Sequence, residues 1–130
     1  MIVDSSALVA ILGHEPERYP FLDAIRAARR AATSAATYVE TAIVVDGRRD
    51  AVMSRSLDEL FVELEVRIEP VTAAQAQIAR QAYRDFGRGS GHPARLNFGD
   101  CLSYALAKDL REPLLYKGDD FVHTDIRPAV

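Results

Sequence analysis

Met1-Ile2-Val3 is an apolar run just long enough for a strand tip, and it passes directly into Asp4-Ser5-Ser6, three side chains suited to capping a helix. The same order, short strand and then helix, recurs along the chain. Ala31–Ser34 leads into a helix capped by Ser34 and carried through Ala36, Val39, Ile43 and Val44 to Gly47. Val66–Ile68, closed by Pro70, leads into Thr72-Ala73-Ala74-Gln75, a capping box that opens a helix with Ile78, Ala79, Ala82 and Phe86 inward. Leu114–Tyr116 follows a helix capped by Asn97, with Phe98, Cys101, Leu102, Ala105 and Leu106 on one side. Strands separated by helices pair in parallel, and a parallel sheet needs cover on both faces. The expected fold class is therefore α/β, with helices in layers around a mostly parallel sheet.

The remaining segments fit this frame. Ala7–Leu12 reads as a first short helix, and a second starts in the turn at Pro16 and runs to about Arg29 on a stripe of Phe21, Leu22, Ile25 and Ala28. A helix from Asp50 carries Met53, Leu57, Leu60, Phe61 and Leu64 at three- and four-residue spacing. Arg88–Arg95 is an irregular, Gly-rich loop, and a last strand is expected near Thr124–Ile126. No repeat or linker divides the chain, so residues 1–130 are expected to form one domain.

Charge and cysteine usage exclude several classes. Sixteen Lys and Arg against nineteen Asp and Glu give a net charge of −3, which argues against a protein that coats nucleic acid electrostatically. Local basic groups remain, among them Arg84, Arg88 and Arg95. No apolar run approaches the roughly 20 residues that span a bilayer, and Asp4 interrupts the apolar start a signal peptide would need. A single cysteine, Cys101, rules out an internal disulfide and a Cys-based zinc site and fits a reducing cytoplasm. Its apolar neighbours mark it as a small buried hydrophobe.

The acids carry the chemistry. Asp4 follows the first strand, and ligands of parallel sheets bind beyond the carboxyl ends of the strands, where strand order reverses. Ser5 and Ser6 could cap the helix equally well, so a cap alone does not require an Asp. Asp100 stands three residues after the cap Asn97, at the start of another helix. Glu40 shares a helix face with Ala36, Ile43 and Gly47, and a carboxylate among apolar neighbours is costly unless paired or bound to metal. Lys117-Gly118-Asp119-Asp120 follows the strand at Leu114 and belongs at the same rim. Carboxylates without a Cys set or a His pair favour a hard cation, Mg²⁺ or Mn²⁺, over zinc. His14, His92 and His123 are scattered and read as surface residues.

Four blocks, Met1-Ile2-Val3-Asp4-Ser5-Ser6-Ala7, Glu40 in a helix after a short strand, Asn97-Phe98-Gly99-Asp100-Cys101, and Leu114-Leu115-Tyr116-Lys117-Gly118-Asp119-Asp120-Phe121, together resemble a PIN-domain ribonuclease, and more narrowly the VapC toxins of type II toxin–antitoxin systems. The resemblance covers essentially the whole chain. It implies a single PIN domain built as a three-layer α/β/α sandwich, and an endoribonuclease dependent on Mg²⁺ or Mn²⁺ that leaves a 5′-phosphate and a 3′-hydroxyl. It further implies a homodimer inhibited by a cognate VapB-type antitoxin. Carried over by position, Asp4 and Asp100 match the principal metal ligands, Glu40 the third acid, and Ser6 a hydroxyl that orders the site. Many relatives carry Thr-x-Asp ahead of the Asp-Phe pair, whereas Tyr116-Lys117-Gly118 places Gly at that Asp. Asp119 is the nearest substitute, ahead of Asp120, which leaves the number of ions open. Arg88, Arg95 and Lys117 are the candidates for an RNA-contacting rim.

Two other readings use the same topology. A metal-dependent phosphatase of the haloacid-dehalogenase type also places an Asp after its first strand, but it wants a second Asp two residues on, where this chain has Ser6. A catalytically weak PIN-like module acting by binding a partner protein is the non-enzymatic alternative, kept open by Gly118.

Overall fold

The computed structural model describes all residues from Met1 to Val130. In chain order the elements are β1 (Ile2–Val3), α1 (Ser5–Leu12), α2 (Arg18–Ala27), β2 (Ala32–Ser34), α3 (Ala35–Gly47), α4 (Ala51–Glu63), β3 (Arg67–Glu69), α5 (Ala73–Phe86), α6 (Phe98–Leu110) and β4 (Leu114–Leu115). The four strands form one sheet in the order β3-β2-β1-β4, with every pair parallel. Ile2 pairs with Ala32 on one side and Leu114 on the other, and Val3 pairs with Leu115. The chain thus builds outward from β1 to β3, then returns to add β4 on the opposite side of β1. Strand order reverses between β1 and β4, and their carboxyl ends open onto the same rim.

Alternation along the central strands sets the layers. Val3 and Leu115 point into a core shared with Leu8 and Ile11 of α1, Phe21 and Ile25 of α2, and Leu57 and Leu60 of α4. Ile2, Ala32 and Leu114 point to the opposite face, into a core closed by Ala79 and Ala82 of α5 and by Leu102, Ala105 and Leu106 of α6. Successive strand side chains face opposite ways, so helices on both sides are required. The result is the expected α/β/α sandwich. Leu8 and Leu106 have no exposed surface, and truncating either to Ala would cost about 2–5 kcal/mol. No helix is long and apolar enough to cross a membrane.

Several local expectations are corrected. Helix α2 begins at Arg18 rather than in the turn at Pro16, and Pro20 sits in its first turn, where a missing N–H costs no helical hydrogen bond. Thr72 caps α5 by accepting from the Gln75 amide at 3.1 Å, but the Gln75 side chain is buried and donates to Asp109 of α6 at 2.9 Å. The capping box is thus half formed, its second half traded for a bond between helices. No strand forms at Thr124–Ile126. Thr124 folds back on the Phe121 carbonyl, and Asp125 accepts from Tyr104 at 2.6 Å and from Lys108 at 2.8 Å, so this segment is fixed by side chains. The chain reaches the sheet only beyond it, at an isolated parallel bridge between Leu114 and Pro128.

Two apolar faces also differ from the helical stripes read in the sequence. Phe98 is 79% exposed, because it is the first residue of α6 and only Cys101 and Leu102 onward reach the core. On α3, Ile43 is 67% exposed, and Val39 and Val44 are exposed beside it, while Thr37, Thr41 and Val45 take the buried face.

Candidate functional site

Asp4 leaves β1 in an extended conformation and caps α1. Its amide donates to the Leu115 carbonyl at 2.9 Å, so the ladder between β1 and β4 fixes its backbone. Only 2% of the residue is exposed. Oδ2 accepts from the Ser6 amide at 3.0 Å and the Ser6 hydroxyl at 2.6 Å. Oδ1 accepts from the Ser103 hydroxyl of α6, also at 2.6 Å. A cap needs only the first oxygen. The second is held by a residue the fold brings from the far end of the chain.

These hydroxyls belong to a connected system. The Ser6 hydroxyl also accepts from the Lys117 amide at 2.9 Å, which fixes the exit of β4 to Asp4. Ser103 stands 3.0 Å from the Thr37 hydroxyl of α3. Because Ser103 gives its hydrogen to a carboxylate, Thr37 is the donor to Ser103. Thr37, Ser103 and Asp4 are all buried, and the chain of bonds crosses α3, α6 and the start of α1.

Glu40 lies one turn beyond Thr37 on α3. It is half-buried, and its Oε2 has no hydrogen-bond partner. A side chain at Gly99 would collide with its carboxylate, so the carboxylate lies against the α6 backbone only because residue 99 has none. Burial first, then the charge of Asp4, pushes the Glu40 carboxyl above its ordinary pKa, with a Ser5 hydroxyl pulling the other way.

Asp100 completes a reciprocal capping box. Its Oδ2 accepts from the Asn97 amide at 2.9 Å, and its own amide donates to the Asn97 side chain at 2.9 Å. Its other oxygen is not used by the cap. Burial raises its pKa to about 7, the Asn97 amide opposes that, and the charges of Asp4, Asp120 and Glu40 add to it. The charges of Asp4, Asp120 and Glu40 therefore all reach Asp100 at one rim. Asp119 acts instead on Tyr116, and its carbonyl accepts from the Val122 amide in a turn. Of the two neighbouring acids, Asp120 is the one whose charge adds to the raised pKa of Asp100.

No Lys or Arg forms an ion pair with Asp4, Glu40 or Asp100. Lys117 is turned away from the cluster, paired with Glu15 and, at 3.0 Å, with Glu17. Arg88 and Arg95 are exposed and form no ion pair. Cys101 is buried, and burial together with Asp100 pushes its thiol up to about 11, which makes it a poor nucleophile.

The donor chemistry fits a hard divalent cation: oxygen ligands only, an orphaned Glu40 oxygen, and two carboxylates, Glu40 and Asp100, held at raised pKa first by burial and then by neighbouring acids. The acids converge without closing, and no three of them form a complete ligand set.

Ser103 and Thr37 are not singled out by the sequence. Ser103 did carry a signal, a hydroxyl within the apolar run Cys101-Leu102-Ser103-Tyr104-Ala105, since a buried hydroxyl needs a partner. Thr37 lies on the buried face of α3 with Thr41 and Val45, one position along from the apolar spacing of Ala36 and Val44.

The PIN domain family model matches residues 1–127. The chain belongs to the PIN-domain family. Within it, this PIN domain is of the VapC type: a Mycobacterium tuberculosis relative named ribonuclease VapC28 is 59% identical over 130 residues, covering 100% of this chain and 98% of that protein. Among solved structures, Mycobacterium tuberculosis VapC20, described as a sarcin–ricin loop cleaving toxin, superposes with a TM-score of 0.71 at 20% identity, covering 98% of each chain. A chain from a Klebsiella pneumoniae toxin–antitoxin complex superposes with a TM-score of 0.72 at 15% identity, covering 95% of this PIN domain and 92% of that chain. At such identities the two structures speak for the fold.

Proposed function

We propose that this PIN domain, spanning residues 1–130, is a Mg²⁺- or Mn²⁺-dependent endoribonuclease and the toxin of a VapBC-type pair, acting in the cytoplasm under the control of a VapB-type antitoxin. The observation that carries the reading is the state of the acid cluster. Asp4 has both oxygens oriented by hydroxyls, yet no cationic side chain pairs with it, Glu40 or Asp100. Such a cluster is short of positive charge. The names of relatives as similar as VapC28 support RNA as substrate. The exposed Val39, Ile43 and Val44 on α3 support a homodimer.

Asp4 and Asp100 would hold the cation, with Glu40 and an acid of the Asp119-Asp120 pair completing its surroundings. When bound, the cation would activate water and take up charge on the attacked phosphate. The protein's own part is preorganisation. Ser6 and Ser103 fix the rotamer of Asp4, the Asn97 box fixes Asp100, and Gly99 lets Glu40 approach, so little reorientation is left for the reaction. Before a cation binds, burial holds Asp100 at a pKa of about 7, so near neutral pH it is divided between its neutral and charged forms.

The test is cleavage of structured and single-stranded RNA with Mg²⁺ or Mn²⁺, with EDTA as control and beside an Asp4→Asn variant. Metal-dependent cleavage that is absent in the variant is expected. Full activity of Asp4→Asn, or hydrolysis of p-nitrophenyl phosphate in place of RNA, would sink the assignment.

A further inference from the structure

Beside the acids lies a cleft that neither the core nor the hydroxyl system explains. It opens between α5 and α6, has a volume of about 630 Å³, and is lined by Tyr83, Phe98, Arg80, Arg88, Asn97 and Leu102 among others. That is the size of a small-molecule site. Asn97 belongs both to this cleft and to the acid cluster, since it is bonded in both directions to Asp100. Whatever lies in the cleft therefore lies next to the candidate catalytic rim.

Its walls are built rather than left over. The Tyr83 hydroxyl donates to the Arg88 carbonyl at 3.0 Å, which pins the ring by its far end. Gly87 packs so closely under the Tyr83 ring that any side chain there would strike it. Tyr83 is nonetheless 49% exposed, and Phe98 is 79% exposed where the core does not need it. Arg80 and Arg88 stand at the same cleft, and neither forms an ion pair. Flat apolar surfaces beside unpaired guanidinium groups match a stacked base attached to a phosphate, the combination used by single-strand binding sites. The Asn97 side chain spends its oxygen on the Asp100 amide and keeps its NH₂ group free to meet a base edge.

We infer that the cleft between α5 and α6 is a nucleobase subsite, which holds a base of single-stranded RNA flanking the scissile phosphate, with Phe98 and Tyr83 as stacking surfaces and Arg80 and Arg88 meeting the backbone. The inference rests on the ribonuclease reading for its substrate, but not on metal-dependent chemistry. Stacking selects unpaired over paired nucleotides, because a base inside a duplex offers no free face.

The experiment measures binding of a fluorescent single-stranded RNA oligonucleotide to the full chain in EDTA, by anisotropy, beside an abasic oligonucleotide of the same length. Phe98→Ala should weaken binding of the normal RNA roughly tenfold, the scale of one lost stacked base, and Phe98→Trp should restore it. The abasic RNA should bind the wild type more weakly and be insensitive to Phe98→Ala. Equal binding by wild type and Phe98→Ala, or an equal loss on the abasic RNA, overturns the subsite. So does a change confined to molecular mass by light scattering, which would make the cleft a protein interface. Base-dependent binding without any cleavage in Mg²⁺ or Mn²⁺ would leave the subsite standing and count against the ribonuclease reading alone.

Discussion

The Ser103 hydroxyl donates to Oδ1 of Asp4 at 2.6 Å, joining residues 99 positions apart in the chain. It holds the one oxygen of Asp4 that helix capping leaves over, in a site with almost no solvent. A hydrogen bond to a buried charge is worth about 1.5–3 kcal/mol.

Ser103→Ala should therefore lower stability by about 2 kcal/mol and leave the Thr37 hydroxyl without its partner. Chemical denaturation measures the first effect. Metal-dependent cleavage should fall as well, because Oδ1 of Asp4 loses the hydrogen bond that orients it. Thr37→Val, which removes only the outer bond, should cost less on both counts. Equal losses from the two substitutions would show that the hydroxyls act as packing.

Gly99→Ala sets helix propensity against sterics. Within α6, Ala is the better helix former by up to about 1 kcal/mol. Its methyl group would strike the Glu40 carboxylate and drive it from its place. The expected outcome is a folded protein with at least tenfold lower cleavage. Adding Glu40→Ala should restore any lost stability but not the activity. A fully active Gly99→Ala would remove Glu40 from the site.

The metal-free protein should lose stability as pH rises. Asp100 has an ordinary pKa of 3.8 and a folded value of about 7, chiefly because burial disfavours its charge. Between these values the unfolded chain has released the proton while the folded chain retains it, so stability falls with pH. The fall should begin near pH 4, level off above pH 7, and be reversed by saturating Mg²⁺. In Asp100→Asn the Asp100 part of this slope should vanish. Unfolding midpoints across that range in EDTA provide the check.

The two adjacent acids should separate. Asp120→Asn should lower cleavage several-fold and shift its pH profile, because the charge of Asp120 is one of those that raise Asp100. Asp119→Asn should do less, since Asp119 acts on Tyr116 and serves a turn through its backbone. Parallel pH–rate profiles of the two variants distinguish them, and a larger defect in Asp119→Asn would reverse the assignment.

Much of this was legible locally. Asp4, Ser34, Asp50, Thr72 and Asn97 all cap the helices they precede, because a cap depends only on a short polar side chain and the next few amides. The strands of Ala31–Ser34 and Val66–Ile68 lay within a residue of where they were expected. Phe98 and Ile43 misled because periodicity says which residues share a face and not how far along the helix the core extends. The pairing of Lys117 with Glu15 and Glu17 was not legible either, because it depends on where the α1–α2 turn lies against the exit of β4.

The sequence by itself determined the alternation of strands and helices, the helix caps, and the presence of acids at strand ends and helix starts, since each follows from interactions within a few residues. Tertiary structure alone decided that Asp4 meets Ser103, that Glu40 rests on Gly99, and that burial raises the pKa of Asp100. Those outcomes depend on adding β4 beside β1 and on how deeply each carboxylate is withdrawn from water. Desolvation is a property of the assembled layers, so no short stretch of residues encodes it.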